Sequence, residues 1–171
     1  MHTRTRRYGS NRSGTSSEGA RNHKLESSKE VIDPCQKCPL LKYKARTCTS
    51  PEIIRGAPIA FIGEAPGKEE IKQRRPFVGP TGRILNTIAR KNGLTRGRDF
   101  SLINAVRCVN LNKPKPTAAA IKCCSYFFKA DLRKASPKKV ICLGASAWAA
   151  LVGKSQGRVD KARGKITEIE I

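Results

Sequence analysis

PIAFIGEAPG, residues 58 to 67, is an apolar run that ends in a glycine-rich turn. The run at 58 to 62 is short and bounded by turn residues, which is typical of a buried strand. Gly63 and Gly67 bracket a turn in which the backbone can come close to another group. A strand that runs directly into such a turn predicts the first unit of an α/β sheet.

The rest of the chain continues this pattern of strands and helices. The order β-α-β-α-β-α predicts a three-layer α/β/α domain with a short parallel sheet and ligands outside the carboxyl ends of the strands. Further strands are predicted at 100 to 106, at 139 to 143 and in RGKITEIEI at 163 to 171, and helices at 82 to 92, 117 to 135 and 145 to 151.

The charge of the chain points to a polyanionic partner. It contains 35 Lys and Arg against 13 Asp and Glu, a formal net charge of +22. Neutralising phosphates and releasing their counterions favours nucleic acid as that partner, with an anionic membrane surface or an acidic protein as alternatives. Residues 1 to 30 are rich in Arg, Ser and Gly and predict a disordered basic tail, so that the folded domain covers 31 to 171.

The expected compartment follows from two features of the sequence. It contains seven cysteines, an odd number, and no apolar leader segment. No uncharged run is long enough to span a bilayer, so we expect a soluble cytoplasmic protein with no membrane association. Thiols stay reduced in that compartment, and a cysteine cluster there indicates metal binding or catalysis before disulfides.

The cysteines themselves suggest one four-thiol site. Cys35 and Cys38 form CxxC, Cys108 follows the second strand, and Cys123 and Cys124 lie in the next helix. Two close thiolates and two distant ones can hold tetrahedral zinc or an iron–sulfur cluster, and from the residues alone both remain open. Of the remaining cysteines, Cys142 is interpreted as a core residue of the third strand and Cys48 as a loop thiol without a role.

Two side chains are predicted to meet beside the GEAPG turn at the carboxyl edge of the sheet. The loop PFVGPTG, at 76 to 82, presents Phe77 between glycines, and Asn104 ends the strand next to the one that ends at Gly63. An aromatic face and an amide are the groups that read the edge of an extruded base. A core role for Phe77 and a turn role for Asn104 are the alternatives.

Taken together, these motifs resemble the uracil-DNA glycosylases that carry a four-iron cluster. The sequence has CQKCPL, GEAPGKEE, RRPFVGPTGRIL, INAVRC, SPKKVICLGASA and RGK in that family's order. The resemblance implies DNA, single or double stranded, as the partner, removal of uracil by hydrolysis as the reaction, and a structural 4Fe–4S cluster rather than zinc as the cofactor.

The resemblance also implies a role for each matching residue. Glu64 is the catalytic carboxylate, Phe77 stacks on uracil, and Asn104 reads its edge. The backbone of Gly63, Ala65, Pro66 and Gly67 lines the substrate pocket. The cluster ligands are Cys35, Cys38, Cys108 and Cys124, and Cys124 is chosen over Cys123 because its intervals from Cys108 and to Gly144 are those expected of the family.

One motif of the family has no match in this sequence. A His-Pro-Ser segment is expected after RGK, but the only histidines are His2 and His23 in the tail. We therefore expect a domain shortened at its C-terminus. Two alternatives to an active glycosylase follow: a DNA-binding iron–sulfur protein of this fold with impaired catalysis, and a zinc-stabilised basic domain with only an architectural likeness.

Overall fold

Three short strands form a parallel sheet in the order β2-β1-β3, with β1 at Ile59–Gly63, β2 at Phe100–Asn104 and β3 at Lys139–Cys142. They belong to a computed structural model that describes residues 34 to 153 together with 163 and 164. The predicted basic tail lies outside the described residues, as does the predicted last strand apart from Arg163 and Gly164, which form a turn.

Helices cover both faces of this sheet, which confirms the predicted three-layer α/β/α architecture. Two 3₁₀ turns at Pro34–Lys37 and Leu41–Tyr43 precede the helices α1 Lys44–Thr47, α2 Lys68–Gln73, α3 Pro80–Lys91, α4 Ala118–Ala135 and α5 Ala145–Val152. Helix α4 begins where the sequence predicts, because the Thr117 side chain accepts a hydrogen bond from the Ala120 N–H at 3.2 Å and caps the first turn.

Alternate residues of β1 send their side chains into two separate cores. Ala60 and Ile62 pack against α4 and α5, where Phe128 and Leu132 are almost fully buried. Phe61 faces the opposite side, in the cluster that includes residues of α3. This period of two is what a strand covered on both faces requires, and it places the ends of β1 and β2 between the two helical layers.

Helix α2 is the element that the sequence did not predict. Its six residues, Lys68–Gln73, contain one apolar side chain, Ile71, so they carry no helical hydrophobic period. The predicted second strand is too long, since β2 stops at Asn104 and Cys108 lies four residues beyond it. No helix within the described residues is long and apolar enough to cross a membrane.

Candidate active site

Gly63 and Asn104 lie side by side at the carboxyl edge of the sheet, as the parallel register of β1 and β2 pairs them directly. A β-carbon built on Gly63 would lie 2.5 Å from the Asn104 Oδ1 and 2.6 Å from the Phe77 Cζ. The structure thus brings together the three predicted base-reading positions. Only a residue without a side chain fits at 63, because both neighbours already occupy that space.

Phe77 has an unusual backbone conformation for an aromatic residue. Its φ is +53°, in the left-handed region, and its side chain is almost fully buried. Gly82 of helix α3 packs directly against the carbonyl group of Phe77, and an added β-carbon at Gly82 would overlap the Phe77 oxygen. A non-glycine residue in this region costs about 1–3 kcal/mol, so the surroundings must hold it in place.

Arg96 holds the first half of the loop at 76 to 82. Its guanidinium donates to the carbonyl oxygens of Pro76 at 2.7 Å and Phe77 at 2.8 Å. The other edge of the same guanidinium donates to both carboxylate oxygens of Glu52, at 3.0 and 2.9 Å. Glu52 is itself fixed at the outer edge of β2, through two backbone hydrogen bonds with Leu102 at 2.8 and 2.9 Å.

The environment of Glu52 favours its ionised form. Burial opposes ionisation, but hydrogen bonds from Arg96 and Arg75 outweigh burial and lower the pKa of the Glu52 carboxyl. Its side chain is 18% exposed, and that of Arg96 is 19% exposed. An ion pair this sheltered is a better positioning element than an exposed pair, because both groups are fixed by further hydrogen bonds.

Glu70 holds the second half of the same loop. One of its oxygens, Oε1, accepts from the N–H groups of Val78 at 2.9 Å and Gly79 at 2.7 Å. Glu70 lies in helix α2, which begins directly after Gly67, so the GEAPG turn and the PFVG loop are joined through one carboxylate. The sequence gives Glu70 no role, since it sits beside Glu69 in a short charged segment.

Glu64, the predicted catalytic carboxylate, has a partner on helix α5. The Ser146 hydroxyl donates to the Glu64 Oε2 at 2.5 Å, and Ser146 is buried in the first turn of that helix. The Glu64 carbonyl also accepts from the Val106 N–H at 3.1 Å, which joins the turn to the segment after β2. Ala65 is half-buried and Pro66 is buried in the same turn.

The cysteine-bearing segments are tied together by backbone hydrogen bonds. The Thr49 N–H donates to the Arg107 carbonyl at 2.8 Å, and the Val109 N–H donates to the Thr47 hydroxyl at 3.1 Å. The Arg107 N–H donates to the Cys124 sulfur at 3.4 Å. The Cys123 thiol donates to the Lys37 carbonyl oxygen at 3.6 Å and also forms a side-chain hydrogen bond with Cys38.

Several of the predicted ligand thiols are near enough to influence one another's ionisation. Burial, with a smaller contribution from the charges of Cys38 and Cys35, raises the pKa of Cys124 to about 11 against the lowering effect of Arg107. The pKa of Cys108 is raised by its hydrogen bond with Cys48, by burial, and by the charges of Cys48, Cys124 and Cys35. In the part of the chain that the structure describes, no three His, Cys, Asp or Glu side chains converge tightly enough to hold a single metal ion.

Cys48 lies closer to the predicted ligand thiols than the sequence suggests. Its hydrogen bond with the Cys108 thiol, assisted against burial by the charge of Arg107, lowers the pKa of Cys48 to about 6. The interpretation of Cys48 as a loop thiol without a role stays a prediction, but its thiol contacts a predicted ligand. Cys142 is half-buried and packs against the α4 and α5 core, in keeping with a core role.

Arg107 links the cysteine segments to the base-reading residues. Its guanidinium donates to both oxygens of the buried Asp131, with distances of 2.6 Å from Nη2 to each oxygen, and lies 5.2 Å from the Phe127 ring centroid. Arg107 and Asp131 also line a small recess together with Asn104. The end of β2 and the segments that carry the cysteines thus share one partly buried ion pair.

Comparison with known proteins agrees with this arrangement. The model of the uracil DNA glycosylase superfamily matches residues 51–170. The type-4 uracil-DNA glycosylase of Thermotoga maritima is 32% identical over 140 residues, which cover 82% of this chain and 72% of that protein. The type-4 uracil-DNA glycosylase of Pyrobaculum aerophilum is 30% identical over 144 residues, with the same shares of the two chains. By both measures, the chain belongs to the uracil DNA glycosylase superfamily.

Proposed function

We propose that this protein removes uracil from DNA by hydrolysing the bond between the base and the deoxyribose. The observation that carries the proposal is the convergence of Gly63, Phe77 and Asn104 at the carboxyl edge of the sheet, where Glu64 is the residue that directly follows Gly63. Membership of the superfamily and the similarity to two type-4 uracil-DNA glycosylases support the same reaction.

In this proposal, the base is read after it leaves the helix. An extruded uracil presents an edge that carries both a hydrogen-bond acceptor and a donor. The Asn104 amide matches this edge because it offers both an N–H and a carbonyl oxygen. The Phe77 ring forms the stacking surface, and its fixed left-handed backbone keeps the ring under Gly63. The turn of Ala65, Pro66 and Gly67 supplies backbone at the edge of the pocket.

The proposed chemistry centres on Glu64. As the glycosidic bond breaks, positive charge builds on the sugar carbon and uracil departs as an anion. The Glu64 carboxylate holds the attacking water and offsets the positive charge. Water adds to the sugar carbon, the bond electrons leave with the base, and the water proton is released. Ser146 keeps the carboxylate in one orientation through its hydrogen bond.

We also propose a structural 4Fe–4S cluster on Cys35, Cys38, Cys108 and Cys124. Four cysteines are the usual ligand set of such a cluster, and each thiolate binds a different iron. The donor set fits in its chemistry, because all four groups are thiols. Burial raises the pKa of Cys124 and the hydrogen bond with Cys48 raises that of Cys108, and the smaller repulsion among the cysteines is one that bound irons would relieve. When bound, the cluster supplies no chemistry to the reaction, and its ligands anchor the first cysteine loop beside β2.

Alkali-induced strand cleavage of a uracil-containing oligonucleotide tests the proposed reaction. The protein is purified without oxygen and its iron content is measured first. We expect cleavage by the parent and a loss of about 10²–10⁴-fold in Glu64→Ala, the range for a lost acid–base group. Asn104→Ala should lose about 10²-fold, as when a preorganised donor is removed. Tight binding with no cleavage by the parent would instead indicate a DNA-binding protein that has lost the reaction.

A further inference from the structure

A groove outside the base pocket lies between the first cysteine loop and the proline-rich loop before α4. It has a volume of about 190 Å³ and is lined by residues of 39 to 43, 108 to 110 and 113 to 117. None of these lining residues, all within the described part of the chain, is acidic. The base-reading residues do not line this groove, so it is available for another part of a ligand.

The rim of the groove is basic. Lys42, Lys113 and Lys115 line it, and all three are exposed. Among the described residues, the ion pairs involve other side chains, so no carboxylate neutralises these lysines. The first turn of α4 adds to this potential, because it contains no acidic residue and its N-terminus, capped by Thr117, closes one end of the groove.

The floor of the groove has an aromatic surface. Tyr43 is half-buried, and the Lys42 ammonium lies 5.2 Å from its ring centroid. Leu40 and Pro116 add apolar surface on either side. An aromatic ring flanked by exposed lysines is the combination that binds single strands of nucleic acid without regard to sequence, since the ring stacks on a base and the lysines contact phosphates.

The groove adjoins the base pocket along the chain. Cys108 lines the groove, and the preceding Arg107 lines the recess that contains Asn104. Asn110, a groove residue, follows Asn104 by six positions, and six residues of chain span at most about 21 Å. The groove therefore lies within about six base steps of 3.4 Å from Asn104 along a DNA strand.

We propose that the groove holds the DNA strand that flanks the extruded base, with Lys42, Lys113 and Lys115 on its phosphates and Tyr43 stacked on one of its bases. The identity of the strand rests on the proposed function. Binding of nucleic acid in the groove does not, because it follows from the ring and the lysines alone.

A charge-matched comparison in the full-length protein tests the phosphate contacts. One variant replaces Lys42, Lys113 and Lys115 with Ala, and the control replaces Lys91, Lys129 and Lys134, exposed lysines away from the groove. Fluorescence anisotropy gives the Kd for a uracil-free single strand at several salt concentrations. We expect about tenfold weaker binding and a slope of log K against log salt that is smaller by about 2 in the groove variant, from three lost contacts of about 0.7 each. Equal slopes in the two variants would overturn the proposal.

Stacking is tested separately at Tyr43. Tyr43→Ala should weaken binding by about tenfold, whereas Tyr43→Phe, which keeps the ring, should bind as the parent does. If Tyr43→Ala and Tyr43→Phe bind equally, the ring is not a stacking surface and this part of the proposal fails. An acidic peptide is tested for binding in the groove as well. If the peptide binds there and uracil-free DNA does not, the groove is a site for a protein partner and the DNA proposal is overturned.

Failure of the groove and failure of the proposed reaction give different results. Uracil excision is measured on a long strand and on a strand cut to a few nucleotides around the uracil. Groove variants should lose cleavage of the long strand at low concentration and cleave the short one as the parent does. If the parent cleaves neither strand but the groove variant still loses binding selectively, the groove proposal stands and the proposed reaction falls.

Discussion

The Arg96 guanidinium donates to the carbonyl oxygen of Phe77 at 2.8 Å, so a residue of the loop before β2 fixes the backbone of the proposed base-stacking residue. The same guanidinium binds Glu52, which is attached to the edge of β2. The position of the aromatic ring thus depends on an ion pair that does not itself reach the base. Disturbing that pair should therefore affect recognition from a distance.

Replacing Arg96 with Met should destabilise the protein by about 2–4 kcal/mol, because two loop carbonyls lose their donor and Glu52 loses its charged partner. Chemical denaturation measures this loss. Arg98→Met is the matched control, since Arg98 is largely exposed and its one ion pair among the described residues is with its neighbour Asp99. A similar loss in both variants would mean that the contacts of Arg96 to the loop have no special role.

Glu52 should make stability depend on pH in the acid range. Its folded pKa is lowered, so its contribution is fully present above the unfolded value of about 4.3 and is lost as the pH falls through the lower folded value. Glu52→Gln should therefore be less stable than the parent at pH 7 by about 2 kcal/mol, the scale of a charged hydrogen bond. The difference should shrink below pH 4. A difference that is constant from pH 7 to pH 2 would contradict the assignment.

Uracil excision should depend on the one carboxylate oxygen of Glu70 that accepts from the loop at 76 to 82. Both loop N–H groups donate to Oε1, and a Gln side chain can present its carbonyl oxygen at the same place. We expect Glu70→Ala to lower kcat by about 10²-fold, the effect of a displaced positioning group, while Glu70→Gln keeps most of it. Glu69→Ala, at an exposed neighbour, serves as the control. Uracil excision at saturating substrate is the measurement.

Ser146→Ala should slow uracil excision without weakening DNA binding. Removing the hydroxyl frees the Glu64 carboxylate to leave its bound orientation, and we expect kcat to fall by about tenfold or more with KM nearly unchanged. Ser125→Ala is a suitable comparison, because that hydroxyl donates only to the Lys122 carbonyl one turn earlier in α4. A fall in both variants, or a rise in KM alone, would remove Ser146 from its positioning role.

Cys124 and Cys123 should differ in iron retention. Both thiols lie near the CxxC pair, since Cys124 interacts with Cys35 and Cys38 and Cys123 forms a hydrogen bond with Cys38. They differ in that Cys124 accepts from the Arg107 N–H beside Cys108, whereas Cys123 donates to the Lys37 carbonyl. We therefore expect Cys124→Ser to lose iron and visible charge-transfer absorption, and Cys123→Ser to keep both. The iron content of each anaerobically prepared variant is the measurement. If Cys123→Ser loses iron and Cys124→Ser keeps it, Cys123 is the fourth ligand instead.

Local sequence patterns were enough to predict the sheet and the positions that meet at its edge. The apolar run at 58 to 62, the turn after it and the end of β2 at Asn104 are all short-range signals, and parallel strands bring their carboxyl ends together. The residues that hold the site are less visible. Glu70, Arg96 and Ser146 act on partners 8 to 82 residues away, so nothing in their immediate neighbours marks them.

Element boundaries were harder to predict for a related reason. Helix α2 has almost no apolar period, and it is held by the contacts of Glu70 and by a left-handed C-terminal residue, Arg74. β2 ends two residues earlier than predicted, because from Ala105 onward the backbone turns to donate to the carbonyls of Gly63 and Glu64 at 2.8 and 3.1 Å. Tertiary hydrogen bonds, not local preference, set both boundaries.

The absence of a side chain at Gly63 limits how this fold can change its choice of base. One added carbon there would collide with both the amide and the ring, so no stepwise enlargement of that residue leads to a differently shaped pocket. Selection or design for a larger base must instead act on the loop at 76 to 82. Because Arg96 and Glu70 hold that loop from two sides, altered specificity should require changes at these anchors together with the loop.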